Sequence, residues 1–303
     1  MPMMPSRIVE NVGLLPQLGR IYPLGWRTNI VVIKGAGEMA TGVAHRLKHS
    51  GFSRIVMLET GHPLAVRRTV SFCEAVYNGR VIVEGVEAVL TRGLGEIGTA
   101  WHFGQVAVAI DPQWTLIEQL QPQVVIDAIL AKKNLGTTMT EASLVLGLGP
   151  GFTAGHDVHL VIETMRGHDL GRVIRLGSAQ ANTGIPGEVL GHTVDRVVRA
   201  PAAGIFTASR KITDHVRAGD CLGSVTGQAV VAKIDGVLRG LIREGTSVRP
   251  GLKIGDIDPR GEAAKCFTVS DKARAIGGGV LEAILGASSL EAREPSPLTV
   301  ALS

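Results

Sequence analysis

Residues 30–42, IVVIKGAGEMATG, decide the fold class of the chain, because an apolar run is followed at once by a glycine-rich turn and a segment of small residues. Gly35, Gly37 and Ala40 have the G-x-G-x-x-G/A spacing that joins a strand to a helix in dinucleotide-binding domains. In such a turn the first glycine permits the bend, the second lets a phosphate approach the backbone, and the third small residue lets helix and strand pack closely. The stretch therefore predicts a phosphate-binding turn, and the alternative is a strand-to-helix turn without a ligand.

Residues beyond the next predicted strand bear on that choice. Glu59 follows Gly37 by 22 residues, close to the ~20 at which the fingerprint places an acid for a ribose hydroxyl. Arg67 and Arg68 could pair with a phosphate, although on a helix they could equally be solvated. Glu38 argues against a phosphate unless its side chain serves the helix N-terminus, since its charge would lie beside the ligand. The predicted cofactor-binding residues in this part of the chain are Gly35, Gly37, Ala40, Glu59, Arg67 and Arg68.

Apolar strands alternate with helical segments over residues 30–146, which predicts a doubly wound parallel sheet and hence a Rossmann-like nucleotide-binding domain. One helix is predicted over residues 63–79 and one strand over residues 81–90. Asp127 closes a further strand, and Lys132 follows at the carboxyl edge, where ligands of open α/β sheets bind. Lys132 is therefore another candidate for a cofactor-binding residue, with a solvated loop as the alternative.

An internal repeat lies in the second half of the chain. Residues 200–225 align without gaps on residues 232–257 with a shift of 32, and six positions are identical, three of them glycines. Two duplicated units predict a closed β structure rather than a solenoid, and the glycine spacing resembles the barrel-sandwich hybrid of biotinyl and lipoyl carrier domains. Those carriers place a modifiable lysine on the joining hairpin, but residues 224–231 contain none, and Lys233 is predicted inside the next strand. A rigid β module is expected instead of a swinging arm.

The predicted order of segments follows from these patterns. A terminal helix is predicted to begin through Gly277, Gly278 and Gly279. The segments are an N-terminal arm (1–29), the Rossmann-like domain (30–146), a glycine-rich connecting β region (147–196), the barrel-sandwich-hybrid-like module (197–260), the C-terminal helix (261–290) and a flexible tail (291–303).

Composition and motifs exclude several functions. The net charge is only +4 and aromatic residues make up 4% of the chain, so we predict no nucleic-acid surface. The chain offers no secretory signal, no membrane-spanning run and no cysteine spacing for a metal, and we expect a cytoplasmic protein. The polar cluster in residues 156–168 matches no established zinc motif, so no metal site is predicted. Nucleophile-elbow and P-loop patterns are absent too, so the catalytic residues are unknown.

Several longer motifs carry a resemblance to a known family. They are IKGAGEMATGVAHRL, LETGHPLAVRRTVSFCEAVYNG, DAILAKKN, GLGPGFTAG, NTGIPG and KIGDIDPRG. Together, over about residues 30–286, they resemble the YqeB-type family of selenium-dependent molybdenum hydroxylase maturation proteins. The resemblance implies an accessory protein whose partner is an apo molybdenum hydroxylase of the xanthine-dehydrogenase type. The cofactor would be NAD(P) or a molybdopterin-type nucleotide.

Two alternatives to the accessory function stay open at this point. An NAD(P)-dependent oxidoreductase acting on a small metabolite would use the same glycine turn, although no Tyr-x-x-x-Lys pair is present. A non-catalytic assembly scaffold would need the turn only for its shape.

Overall fold

The computed structural model describes residues 26–291. The predicted N-terminal arm, apart from residues 26–29, and the predicted flexible tail, apart from residue 291, lie outside the described residues. Within residues 26–291 the five α-helices are α1 (Glu38–His49), α2 (Ala75–Asn78), α3 (Leu94–His102), α4 (Thr115–Leu120) and α5 (Asp271–Glu291). Among these described residues, no helix is long and apolar enough to cross a membrane.

Nine strands form one large sheet in which the central strands are parallel. These strands are β1 (Ile30–Lys34), β2 (Arg54–Glu59), β3 (Arg80–Val83), β4 (Val86–Thr91), β5 (Val106–Ile110), β6 (Val124–Asp127), β7 (Leu144–Leu148), β9 (Leu160–Ile162) and β10 (Val173–Ile174). Their order is β10-β9-β7-β6-β1-β2-β5-β4-β3, and only the edge strands β3 and β10 pair antiparallel. Between β7 and β10 the chain also forms a small antiparallel pair from β8 (Thr153–Ala154) and β11 (Gly177–Ser178). The predicted α/β class is confirmed.

The central strands are apolar throughout because both faces of the sheet are covered. In β1, Val31 and Ile33 belong to the core formed with α1 and α5. Val32, which points to the opposite face, belongs to a second core with residues of α3 and α4. This coverage leaves the carboxyl ends of the strands, where the loops begin, as the edge open to a ligand.

Two predicted elements in this half are wrong. Residues 63–79 do not form one helix: two 3₁₀ helices, Arg68–Val70 and Phe72–Glu74, lead into the single turn of α2. Residues 81–90 are not one strand either, since Glu84 and Gly85 both have positive φ and turn the chain between β3 and β4. The sequence patterning also did not predict α3.

The remaining eight strands form two antiparallel four-stranded sheets. They are β12 (Val197–Arg199), β13 (Gly204–Ala208), β14 (His215–Val216), β15 (Cys221–Val225), β16 (Gln228–Val231), β17 (Gly236–Leu241), β18 (Ser247–Val248) and β19 (Lys253–Asp258). One sheet has the order β12-β19-β17-β14 and the other β16-β15-β13-β18. A shift of 32 residues carries each strand of one sheet onto the strand at the same place in the other. Lys233 lies in an exposed bend between β16 and β17, not inside a strand as predicted.

A C-terminal helix is confirmed, but it does not include residues 261–270 of the predicted 261–290, and its predicted entry through three glycines is wrong. The helix begins at Asp271, so Gly277, Gly278 and Gly279 lie inside it. A side chain at Gly277 would come within 2.8 Å of the carbonyl oxygen of Gly42 in α1. Gly277 and Gly279 therefore allow close contact between α5 and its neighbours rather than ending a loop, whereas a Cβ at Gly278 would meet no atom within 4 Å.

Candidate functional site

A cleft of about 580 Å³ opens at the carboxyl ends of β1, β2, β5 and β6. The loop after β1 forms its floor, and the segments after β2 and β6 form two of its walls. A further wall comes from the antiparallel sheets, because Lys253 at the start of β19 also lines the cleft. Predicted site residues on its lining are Gly35, Gly37, Glu59 and Arg67.

Gly35 and Gly37, the two glycines of the loop after β1, differ in whether the fold itself requires a glycine. Gly35 has a φ of +87° and donates its N–H to the Leu58 carbonyl at 2.7 Å, so the turn itself favours glycine there. Gly37 has an ordinary φ of −71°, and a Cβ built on it would meet no atom within 4 Å. It precedes α1, where no side chain caps the helix N-terminus. Folding therefore does not require a glycine at 37, whereas a ligand resting on the backbone would. Ala40, the third small residue, is fully buried against the sheet.

Glu59 lies at the end of β2, facing the loop. Its Oε2 accepts the N–H of Ala36 at 2.9 Å, and its Oε1 accepts the N–H of Thr60 at 2.8 Å. The carboxylate thus fixes the glycine turn, and it lines the cleft beside that turn.

The two arginines are held by partners that the sequence does not indicate. Arg67 is 4% exposed, pairs with Glu38 at 2.8 Å and donates to the carbonyl oxygens of Lys265 and Thr268. The charge of Glu38, which argued against an anion, is therefore compensated by Arg67. Arg68 points away from the cleft, and its Nε donates to the carbonyl oxygen of Leu241 in β17 at 2.8 Å. Arg68 is absent from the lining of the cleft, whereas Arg67 forms part of it.

Lys132 lies in the loop after β6, outside the lining of the cleft. Its φ of +64° marks a tight backbone turn. When the amide of Asn182 is oriented to accept from the Gly184 N–H, it also accepts from Lys132 Nζ at 3.1 Å. The structure therefore places Lys132 beside residues 180–187 rather than beside the glycine turn.

A buried ionic network that sequence reasoning missed lies next to the cleft. The side chain of Lys34, at the end of β1, is 0% exposed, and its Nζ lies 2.7 Å from Thr137 Oγ1 and 2.8 Å from Glu141 Oε1. It also lies 3.7 Å from the ring centre of Trp114, and Thr137 donates to Asp127 Oδ2 at 2.7 Å. Burial lowers the pKa of Lys34, while Glu141 and Asp127 oppose the shift. The network connects the loop after β6 to the central strand β1. The feature of the sequence that could have indicated it is a lysine, Lys34, at the end of an apolar strand.

Two members of the polar cluster in residues 156–168, Glu163 and His159, accept backbone N–H groups. Glu163 accepts the N–H groups of Thr164, Met165 and Gln180. His159 is buried and accepts the N–H of Val145 through Nδ1, and burial lowers its pKa. Within residues 26–291 no group of three His, Cys, Asp or Glu side chains could hold a metal ion.

A second buried network lies in the sheet that contributes Lys253. Asp256 and Asp258 are each 1% exposed. Asp256 pairs with Arg239 at 2.7 Å and with Arg196 at 3.0 Å, and Asp258 with Arg260 at 2.6 Å. The KIGDIDPRG motif contains both carboxyls, but no local pattern indicates the distant arginines.

Asp258→Asn is expected to make the free energy of unfolding depend less steeply on pH in the acid range. Burial would raise the pKa of Asp258, but Arg260 and Arg239 hold that pKa at about 2, below its ordinary 3.8. Such a carboxyl stabilises the fold fully above the unfolded pKa, and that contribution is lost as the pH falls through the folded pKa. Between about pH 4 and about pH 2 the wild type should lose about 2 kcal/mol of unfolding free energy through this group, and the variant should lose less.

Urea unfolding at several pH values measures this difference. Asp235→Asn, at an exposed carboxyl of the same region, should keep the wild-type slope. Equal slopes for wild type and Asp258→Asn would contradict the prediction.

No protein-family model matches the chain. Over 256 residues, 84% of the chain, it is 52% identical to the protein named "Uncharacterized protein YqeB" of Escherichia coli (strain K12). This chain belongs to the YqeB-type family. The predicted family resemblance is thereby confirmed, although the aligned part is 47% of that relative, so the chain spans about half of its length.

Solved structures resemble this YqeB-type chain only weakly. One is a succinylglutamatedesuccinylase/aspartoacylase from Rhodobacter sphaeroides, with 20% identity over 28% of this chain and 29% of that chain and a TM-score of 0.21. Another is an aspartoacylase family protein from Mesorhizobium loti, with 10% identity over 67% and 56% and a TM-score of 0.22. The product-bound ectoine utilization protein EutE (DoeB) from Ruegeria pomeroyi has 10% identity over 76% and 85% and a TM-score of 0.23. Scores of this size do not indicate a shared overall fold.

Proposed function

We propose that this YqeB-type chain is an accessory protein for the maturation of selenium-dependent molybdenum hydroxylases. In this proposal it binds a nucleotide or a molybdenum-cofactor-related ligand at the glycine turn. The observation that carries the ligand site is Gly37. It lines the cleft, and the fold leaves the space at its Cβ position empty. A glycine in that place suits a phosphate that rests directly on the backbone at the start of α1.

The strand order supports a Rossmann-like interpretation of the first half. Apart from β4, which pairs parallel with β5 on its outer side, the parallel strands β5-β2-β1-β6-β7-β9 follow the doubly wound order 3-2-1-4-5-6. From β1 the chain adds β2 and β5 on one side of the sheet, and then adds β6, β7 and β9 on the other side of β1. The strand order therefore switches sides between β1 and β6, and ligands of such sheets bind outside the carboxyl ends of the strands at that point. The glycine turn after β1 and the segment after β6 both line the cleft at this switch.

The two antiparallel sheets support a barrel-sandwich-hybrid-like interpretation of the second half. Their matching strand orders are those of two interleaved copies of one unit. The turn between the copies, between β15 and β16, carries Thr226 and Gly227, so a lysine-borne prosthetic group has no attachment point there. A module of this kind is suited to positioning a ligand or holding a partner, and the partner in this proposal is an apo hydroxylase.

The ligand half of the proposal is tested by Gly37→Val. Because a Cβ at 37 meets no atom within 4 Å, we expect the variant to fold normally while its side chain fills the proposed phosphate position. In calorimetric titrations with NAD, NADP, ATP, CTP and molybdopterin nucleotides, the affinity for the ligand that binds the wild type should fall about 30-fold, about 2 kcal/mol.

Gly98→Val is the matched control for that titration. Gly98 lies in α3, also has open space at its Cβ position and does not line the cleft. It should leave the affinity unchanged. Binding that survives Gly37→Val would remove the ligand from the glycine turn, and no binding by any of these compounds would favour a scaffold.

The partner half is tested separately by mixing the purified chain with the apo form of a xanthine-dehydrogenase-like molybdenum hydroxylase. We expect the two to comigrate in size-exclusion chromatography, and the apo-enzyme to gain activity when the cofactor is supplied. Failure of both readouts would contradict the accessory function even if a nucleotide binds.

A further inference from the structure

The cleft at the glycine turn has an apolar part that an anion would not use. Three large apolar side chains on its lining are exposed: Leu64 by 48%, Leu135 by 45% and Ile129 by 36%. Leu64 follows β2 and the other two follow β6, so they come from the segments after the two strands that flank β1. Large apolar side chains gathered in one concave site are typical of ligand pockets, whereas scattered ones are ordinary surface.

Trp114 belongs to the same lining and has an unusual backbone conformation. It lies in the loop after β5 with a φ of +60° and a ψ of +28°, in the left-handed region that bulky residues rarely adopt. Leu130, which also lines the cleft, has a φ of +59°. Such conformations persist only where the surrounding structure enforces them, and they cluster at ligand sites. Here they bring two large apolar residues to one lining.

One side of the Trp114 ring is closed by the buried lysine of β1. Lys34 Nζ lies 3.7 Å from the ring centre, and the Lys34 side chain is 0% exposed. A Cβ built on Gly136, in the loop after β6, would lie 3.9 Å from Cζ3 of the same ring. Because Lys34 Nζ also donates to Thr137 and Glu141, the loops after β5 and β6 are joined behind the lining. The half-buried indole therefore meets the cleft with the rest of its ring, in a fixed position.

The cleft is larger than an anion alone would fill. Its volume of about 580 Å³ is that of a site for a small organic molecule, and a phosphate on the glycine turn would occupy a small part of it. Two charged side chains on the lining already have partners in the fold, since Glu59 accepts two backbone N–H groups and Arg67 pairs with Glu38. The rest of the ligand would thus lie against the indole and the exposed aliphatic side chains.

We infer that the ligand of this cleft carries a planar heteroaromatic ring, which packs against Trp114, Ile129 and Leu135 while its anionic group rests on the glycine turn. The inference rests on the proposed ligand site and adds the ring-binding residues to it. An aromatic side chain suits such a ring because every heteroaromatic base has a π-face on which it can stack. A purine, a pyrimidine and a pterin share this chemistry, and ligands that carry each of them distinguish the three.

Titration calorimetry of the full chain with four triphosphates at constant ionic strength tests the inference. Tripolyphosphate has no ring, whereas ATP, CTP and 7,8-dihydroneopterin triphosphate carry a purine, a pyrimidine and a pterin. At least one of the three should bind the wild type about 10-fold more tightly than tripolyphosphate, about 1.4 kcal/mol, because stacking on an aromatic side chain adds to the phosphate contacts. The one that binds best identifies the class of ring.

Leu135→Gln should reduce the affinity for that ring-bearing ligand by about 5-fold and leave the affinity for tripolyphosphate unchanged, because the lost contact is apolar. Leu94→Gln is the matched control, since Leu94 in α3 is 46% exposed and lies outside the cleft lining. It should change neither affinity.

Trp114→Leu should reduce the affinity for the ring-bearing ligand by about 10-fold. The ligand should also quench the tryptophan fluorescence of the wild type and no longer do so in this variant. Thermal unfolding verifies that each variant is folded, and Leu135→Gln keeps the test available if the loss of the indole beside Lys34 prevents folding.

The outcomes separate this inference from the ligand site on which it rests. If Gly37→Val weakens binding of the triphosphates and neither Leu135→Gln nor Trp114→Leu does, the ring site is overturned and the glycine-turn site stands. If the two ring-site variants weaken binding and Gly37→Val does not, the ring site stands and the glycine-turn site is overturned. Equal affinity for all four triphosphates, or binding of none, overturns the inference.

Discussion

Asp256→Asn is expected to lower the free energy of unfolding by about 3–5 kcal/mol, because it removes the charge that buried Arg196 and partly buried Arg239 share. Asp256 is 1% exposed and accepts from Arg239 at 2.7 Å and from Arg196 at 3.0 Å. Burial would raise its pKa, but Lys253, Arg239 and Arg196 keep that pKa below its ordinary value. An asparagine of the same shape supplies no charge, and its amide group would direct N–H donors toward guanidinium donors. Arg196 would then be a buried cation without a counter-ion.

Chemical denaturation at neutral pH measures this effect, with Asp235→Asn as the matched control. Asp235 is exposed and accepts one backbone N–H, from Ala218. The same chemical change there should alter stability by no more than about 0.5 kcal/mol. A loss in Asp256→Asn no larger than in the control would show that the network contributes little to the fold.

The elements that could be predicted from the sequence are those specified by local spacing. The apolar run and small residues of 30–42 place β1 and α1, because strand burial and the tight turn at Gly35 depend on adjacent residues. The repeat is also visible in the sequence, since duplicated units preserve the glycines that their backbones need. A Cβ at Gly223 would lie 2.2 Å from the Thr207 carbonyl oxygen, and one at Gly236 would lie 2.4 Å from that of Asp258. No other residue fits these places without a backbone shift.

The features that sequence reasoning missed depend on residues far apart in the chain. Arg67 donates to carbonyl groups about 200 positions away, and these contacts accompany a stretch of short 3₁₀ turns in place of the predicted helix. Lys34 and Glu141 are separated by 107 positions. Neither pairing has a local signature in the sequence. A lysine or arginine is interpreted as a surface residue unless the distant partner that allows its burial is known. The candidate site was therefore predicted at its glycine turn and missed at its opposite wall.

Gly279→Ala is expected to destabilise the protein by about 3 kcal/mol or more, although alanine is the better helix former. Gly279 lies in the interior of α5, and a Cβ there would lie 2.0 Å from the carbonyl oxygen of Gly171 and 3.1 Å from Ile162. Backbone atoms cannot rotate away as a side chain can, so the helix would have to separate from the sheet edge. Thermal and denaturant unfolding measure the loss.

Gly278→Ala is the matched control one position earlier in the same helix. A Cβ at 278 would meet no atom within 4 Å, so the variant should gain up to about 1 kcal/mol from the higher helix propensity of alanine. The two substitutions are chemically identical and differ only in the direction of the added methyl group. Opposite signs would mean that Gly279, unlike Gly278, is required for contact between α5 and its neighbours, as the structure indicates. Stabilisation by both would mean that α5 can move away from Gly171 at little cost, which would contradict the prediction.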